Sequence, residues 1–421
     1  MNRYTYDFSL PLNGSGDILS ATVEYEIQDM NVAQFKNMQK LHDIVHTNII
    51  RPRFRIFLLN ADETICRQLP QDDIVSGGSY SENYQNGQRK SLSFSLINRD
   101  GKYTPSINGI WTGTKFLFEI GIEYPQQKCV VWFKKGVFVV NKTSVKHESN
   151  SQQVSIECVD KFGFLEGKAC TIAYTTTVET TTEIEQIIND ILMLPIGNGN
   201  VIDSKKIVYH EAFKGRKMPV EITEQAGSTY GSLILQIADV LSAEVYYNNE
   251  GNLVFVPTSD VVQDIDKATI DHLVDYNGDF GSNSYDIDFS SIVNTIVVIG
   301  ANVNGHICMS VKKNENPNSP YCVQRIGERV APIINDSNIN TDYLADERAE
   351  YELRKALINK TSYNVSAFFN PLLNVNNVIS ITDEYFKINH VRFLINNISY
   401  NIGYDGLMTL QVCGMDNVNF K

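Results

Sequence analysis

Residues Ser91–Pro105 read SLSFSLINRDGKYTP. Leu92, Phe94 and Leu96 fall on alternate positions, with Ser91, Ser93 and Ser95 between them. Successive side chains of a strand point to opposite faces, so this pattern predicts a strand with one apolar and one hydroxyl face. Asn98-Arg99-Asp100-Gly101 then supplies the residue types of a tight turn. The flanking sequence is of the same kind. Phe54, Ile56 and Leu58 make one face of an earlier strand; Arg53 and Arg55 start its other face, which Phe57 and Leu59 continue. Residues 116–123 and 130–140 read as two more strands, with Lys134-Lys135-Gly136 marking a bulge or bend. Val154, Ile156 and Cys158 complete an alternating strand. Short strands separated by turn signals predict a small barrel or sandwich.

The segment after it changes character. Ile184, Ile187, Ile188, Ile191 and Leu192 recur at helical spacing, with Thr181 or Thr182 as the cap. A second helix follows Ser228-Thr229-Tyr230-Gly231, burying Leu233, Ile237, Ala238 and Leu241. EVYYN and NLVFVP then form a hairpin around Asn249–Gly251. Residues 258–289 are turn-rich and carry eight aspartates. Strand pattern resumes at Val293–Ile299. Residues 312–321 (KKNENPNSPY) read as an exposed loop, and residues 341–358 as a helix burying Leu344, Ala345, Ala349, Leu353 and Leu357. A β meander closes the chain. The predicted fold class is mainly β with α+β parts, as two small β-barrel domains flanking an α/β insert. The boundaries read as an amino-terminal arm (1–47), a first barrel (48–170), the α/β domain with a crossing segment (171–289), and a second barrel with one helix (290–421).

The 421 residues suffice for several domains, and 43% hydrophobic with 20% charged residues suits a folded chain. Tyr (21) and Phe (20) far outnumber Trp (2), which favours strands and interfaces. A net charge of −13 argues against general or sequence-specific nucleic-acid binding. The alternating Arg51, Arg53 and Arg55 read as a solvated strand face. Seven scattered cysteines without a CxxC predict reduced thiols and neither disulfides nor a zinc site. The start lacks a basic segment followed by an apolar one, and no run reaches the ~18 apolar residues of a membrane span. Synthesis in the cytosol without stable membrane insertion is the expectation.

No catalytic constellation emerges. His42 and His46 have i,i+4 spacing but no HExxH and no third ligand. Glu24/Glu26 and Asp286/Asp288 share strand faces, as surface acids often do. Gly197-Asn198-Gly199 lacks the phosphate-binding fingerprint, and Ser76-Gly77-Gly78-Ser79 reads as a turn because it lacks the GxSxG of a nucleophile elbow. No catalytic residue, cofactor or metal ligand is expected. Trp111 and Trp132 are candidate interface anchors, with a core role favoured for Trp132, and loop 312–321 is a candidate contact site.

SLSFSLINRDGKYTP, followed by IGIEY, KKGVFVV and VSIECVDKFGF within Ile120–Phe164, resembles a segment of hub proteins of bacteriophage tails. Ser232–Pro257 resembles their small α/β domain, and VISITDEYFKINHVRFLINNISYNIGYDGLMTLQVCG their second barrel. The resemblance covers about residues 48–415. It implies a non-enzymatic homotrimer in the tail baseplate of a virion. Two similar barrels per subunit would make a six-part ring, matching a hexameric tail tube protein on one side and a trimeric spike or cell-puncturing protein on the other. Other baseplate subunits would be further partners, with the arm bracing one of them. The stop at Lys421 leads to the expectation of a stand-alone hub. An acidic inner wall formed by 258–289 would let the anionic genome pass without adhering. Two rivals are a host-surface or carbohydrate-binding tail module, which needs an exposed concave aromatic patch, and a virion-associated glycan or peptidoglycan hydrolase, which needs convergent carboxylates in one cleft.

Overall fold

The computed structural model describes residues 4–11, 18–25, 51–106, 109–124, 129–148, 151–197, 200–257, 273–275, 280–287, 289–317, 319–358, 361–403 and 407–414. Lys90–Ile97 is a strand in which Lys90, Leu92, Phe94 and Leu96 are buried and the residues between them are half-buried. Its hydroxyl face forms a serine ladder with neighbouring strands: Ser91 with Ser81, Ser93 with Ser79, and Ser95 with Ser155. The turn after it is pinned by Asn98, whose amide donates to Thr104 and whose carbonyl accepts from the Tyr103 backbone. Gly101 has φ +69°, a conformation that favours glycine.

The mainly β expectation holds. A sheet of 15 strands passes through both β regions. Its main path is antiparallel and runs Phe280–Ile287, Thr361–Phe368, Leu407–Gly414, Ile388–Ile402, Ile74–Asn83, Lys90–Ile97, Ser151–Asp160, Cys129–Glu148, Lys115–Tyr124, Arg51–Leu59, Ile65–Gln68. The seam between the regions pairs Asn397 with Asn83 through Ile402 with Gly78. Two separate closed rings are therefore not seen among the described pairings, because the path runs on from one region into the other. Alternation tells which face of a strand is buried, not which strand lies beside it. Ser76–Ser79 lies within the Ile74–Asn83 strand at an irregularity, not in a connecting turn. Gly78 is required there: a Cβ would lie 2.4 Å from the Ser93 carbonyl oxygen.

The apolar faces of both regions fuse into one core. Phe54, Tyr80, Phe94, Phe118 and Phe138 from the first meet Tyr363, Phe369, Phe393 and Tyr400 from the second. Tyr400 stacks on Tyr80 at 4.7 Å between centroids and meets Phe369 edge-on at 5.1 Å. The start of the chain adds a hairpin, Tyr4–Pro11 with Ile18–Tyr25, whose second strand pairs with Cys129–Glu148. Residues 26–50, including His42 and His46, lie outside the described residues.

A second core belongs to the α/β segment. Helix Ile184–Leu192 buries the five apolar residues expected, but its N-cap is Glu183 with no side-chain bond, not a threonine. Helix Tyr230–Val240 is capped by Thr229 and Ser232 reciprocally. Strands Ala243–Tyr247 and Leu253–Pro257 form the expected hairpin. Ile292, Ile296, Val298, Tyr321 and helix Asp342–Ile358 pack into this same core. That helix buries all five residues its spacing predicts. It covers one face of a small sheet made by His306–Lys313, Thr295–Val303 and Ile334–Asn335. No helix among the described residues is long and apolar enough to cross a membrane.

Candidate functional site

The densest polar chemistry lies where the first β region, the α/β hairpin and the second β region meet. A bulge begins it. Phe118 pairs with Gly136 and Glu119 with Lys134, so Lys135 is the extra residue. Bulges re-aim side chains, and this one turns Lys135 inward. Its Nζ donates to the Leu373 carbonyl (3.0 Å) and to Asn374 Oδ1 (3.1 Å) of the second region. Asn249 of the hairpin turn donates to the same Asn374 oxygen and accepts from Lys90 Nζ at 2.5 Å. Burial pushes the Lys135 ammonium down to about 8.

Beside it Glu63, almost fully buried, gathers three ammonium groups: Lys161 at 2.6 Å, Lys115 at 2.7 Å and Lys205 at 3.0 Å. Burial by itself raises this carboxyl, but Lys161 and Lys115 override it and hold it at about 2. Lys161 uses all three protons, on Glu63, on Asp203 (2.7 Å) and on the Gly251 carbonyl (2.9 Å). Tyr247 donates to Asp203 at 2.9 Å. Residues 84–90 clamp the next strand. Arg89 pairs with Glu244 at 2.8 Å and stacks on Tyr246 at 3.6 Å, and Tyr84 donates to Glu244 at 2.7 Å. Asp160 accepts the backbone N–H groups of Arg89, Lys90, Phe162 and Gly163, fixing the strand-to-helix corner. Buried charges persist only when paired and hydrogen-bonded. This junction bolts three parts of the chain into one body. Most of its charged groups are paired with one another.

An exposed apolar surface lies elsewhere. On His306–Lys313, residues Ile307, Met309 and Val311 point away from the covering helix and are about half exposed. Met309 and Val311 pair with Ile299 and Val297 of the neighbouring strand, and Ile333 and Val330 are exposed nearby. His306–Lys313 is the edge of its sheet. An edge strand with alternate exposed apolar residues offers area to a partner.

The residues singled out from sequence fare differently. Trp132 is buried, with the Arg55 guanidinium 4.2 Å from its ring, and Trp111 is exposed. The basic face is solvated at Arg53 but not at Arg55. Arg55 is buried and paired with Glu119, and Arg53 pairs with Glu123 at 2.6 Å. Glu119 sits directly across the strand pair from Arg55 and Glu123 diagonally from Arg53, information that a single strand lacks. Loop 312–321 is not a free loop either: Asn314, Ser319 and Tyr321 are buried, and Asn314 donates to Ser319 at 2.9 Å. Asp286 is exposed on a strand. Asp288, Glu26, Asn198, Gly199 and most of 258–279 lie outside the described residues. Sequence reading missed Glu63, Lys161 and Asp203. Their separation along the chain leaves no local pattern.

No protein-family model and no curated protein sequence matches this chain. Solved structures do. A 43 kDa tail protein of prophage MuSo2 from Shewanella oneidensis is 15% identical with a TM-score of 0.57, covering 87% of this chain and 100% of its own. A tail protein from Neisseria meningitidis is 11% identical with a TM-score of 0.56, covering 87% and 99%. The Francisella PdpA-VgrG complex contains a chain 12% identical with a TM-score of 0.51; the match covers 93% of this chain and 57% of that one. The chain shares its fold with these proteins over most of its length.

Proposed function

We propose that this chain is the structural hub of a phage tail baseplate and has no enzymatic role. In this reading it forms a homotrimeric ring that adapts a hexameric tail tube to a trimeric spike and encloses part of the genome channel. The observation that carries the reading is the pairing of two β regions edge to edge in one chain, within a fold shared with prophage tail proteins. Three such chains present six β units, the number a sixfold tube requires, while keeping the threefold symmetry of a spike. An adaptor has to hold its two β units in fixed relation. The fused aromatic core and the buried ionic junction do this. The apolar edge at Ile307, Met309 and Val311 is the surface on which a second copy would sit.

The test is mass in solution, alone and with the cognate spike, followed by imaging for a ring. A trimeric ring with pseudo-sixfold features is the expected result. A chain that stays monomeric with the spike present overturns the proposal. Ile307→Glu with Met309→Glu should abolish assembly and leave the monomer folded, because both side chains already face solvent.

A further inference from the structure

We propose that His306, Cys308 and Asp342 form a binding site for one transition-metal cation, with Zn2+ the best match. His306 and Cys308 are two residues apart on one strand and so share the face turned toward the covering helix. Asp342 is the first residue of that helix. The imidazole nitrogen, the thiol sulfur and a carboxylate oxygen all lie within 4.8 Å of one another. His306 Nε2 is 2.9 Å from Asp342 Oδ2 and 3.1 Å from Oδ1, and the Met309 backbone donates to Oδ1 at 3.1 Å. Cys308 lies buried beneath the exposed pair.

Tetrahedral Zn2+ takes sulfur at about 2.3 Å and nitrogen or oxygen at about 2.0–2.2 Å, which sets ligand atoms roughly 3.3–3.8 Å apart. From the present cluster the His306–Asp342 pair at 2.9 Å has to widen by a few tenths of an ångström, and a pair at the 4.8 Å limit has to close by about 1 Å or slightly more. The two exposed ligands have room to supply these shifts, while the buried thiol stays as the anchor. One nitrogen, one sulfur and one oxygen select a borderline cation over Mg2+ or Ca2+, which want oxygen alone. Three protein ligands leave a fourth position open to water on the exposed side. On binding, the thiol gives its proton to solvent and the thiolate lone pair forms the bond to the metal; no oxidant or reductant is involved. The ion would tie the start of the edge strand to the start of a helix 36 positions onward. It would stiffen the strand whose other face carries Ile307 and Met309. The site stands on its own geometry and does not depend on the tail-hub reading.

The experiment uses the full chain, stripped with a chelator and titrated with Co2+, a spectroscopic stand-in for Zn2+. The expected result is one Co2+ per chain, with a sulfur-to-cobalt charge-transfer band that Zn2+ displaces. Cys308→Ser should remove the band, and His306→Ala or Asp342→Asn should weaken binding at least tenfold. Cys66→Ser, at the exposed cysteine, should change nothing. Circular dichroism of each variant confirms folding. Absence of a stoichiometric band in the wild-type chain, or its persistence in Cys308→Ser, overturns the assignment.

Discussion

Replacing Glu63 by Gln keeps its shape and removes its charge from the centre of the junction. Three ammonium groups lie within 3.0 Å of its carboxylate, and Lys161 among them is as buried as Glu63 itself. Two routes give the magnitude. Holding the carboxyl at about 2 instead of its ordinary 4.5 corresponds to about 3 kcal/mol in favour of the ionised folded state, at about 1.4 kcal/mol per pH unit. Removing one partner of a buried ion pair costs about 3–5 kcal/mol. The two agree, so Glu63→Gln should lose about 3–5 kcal/mol at neutral pH. The acid behaviour follows with a definite sign. The folded-state value is depressed, so the stabilisation is present above 4.5 and is lost as the pH falls from there toward 2. The wild-type chain should therefore approach Glu63→Gln in stability across that window. Urea titrations from pH 7 to pH 3, followed by fluorescence and by circular dichroism, measure the difference. A loss below about 0.5 kcal/mol at neutral pH, or parallel acid profiles, would refute the argument that Glu63 fastens the junction.

Lys135 predicts the opposite pH dependence. Its folded-state value of about 8 lies below its ordinary 10.5. The unfolded chain then holds more protons between those values, and stability rises with pH across them by about 3 kcal/mol. Lys135→Met should lack that rise, so wild-type stability relative to the variant should increase with pH between 7.5 and 10; a constant difference would contradict the assignment. Arg89→Met takes the guanidinium from the buried Glu244 carboxylate and should cost about 3–5 kcal/mol. Adding Glu244→Gln should restore part of it in a double-mutant cycle, and full additivity would count against direct coupling. Gly300→Ala places a Cβ 2.2 Å from the Ile339 carbonyl oxygen, which already accepts the Ala301 N–H. It should destabilise the chain by about 1–3 kcal/mol, measured by urea midpoint; a neutral effect would show that the backbone yields freely there.

Local pattern carried a large part of the fold. The alternation at Leu92, Phe94 and Leu96 placed a strand and its buried face correctly. The spacing of Ile184 to Leu192 and of Leu344 to Leu357 did the same for two helices. Lys134-Lys135-Gly136 marked a bulge that is present. These succeed because strand and helix periodicities are properties of a few neighbouring residues. Arg55 was misread for the complementary reason. Its partners Glu119 and Trp132 come from two other strands, and no local rule brings them near. Loop 312–321 misled through composition: Asn314 and Ser319 bond to each other and are buried. The His306-Ile307-Cys308 alternation was visible in the sequence, but its third member waits 34 residues further on, at a helix start.

By itself the sequence determined element types, the buried faces of strands and helices, the acidic character of the chain, and a resemblance whose fold the structural neighbours bear out. The tertiary structure alone decided three further matters. Ile388–Ile402 pairs with Ile74–Asn83 and merges two β regions into one sheet. Ile292, Ile296, Val298, Tyr321 and helix Asp342–Ile358 pack with the α/β segment. Charges from Glu63, Lys161 and Asp203 converge in one buried junction. Hydrogen-bond partners, shared cores and desolvated charges depend on contacts between residues far apart in sequence. Periodicity is local, and it does not encode which distant surface a finished element will meet.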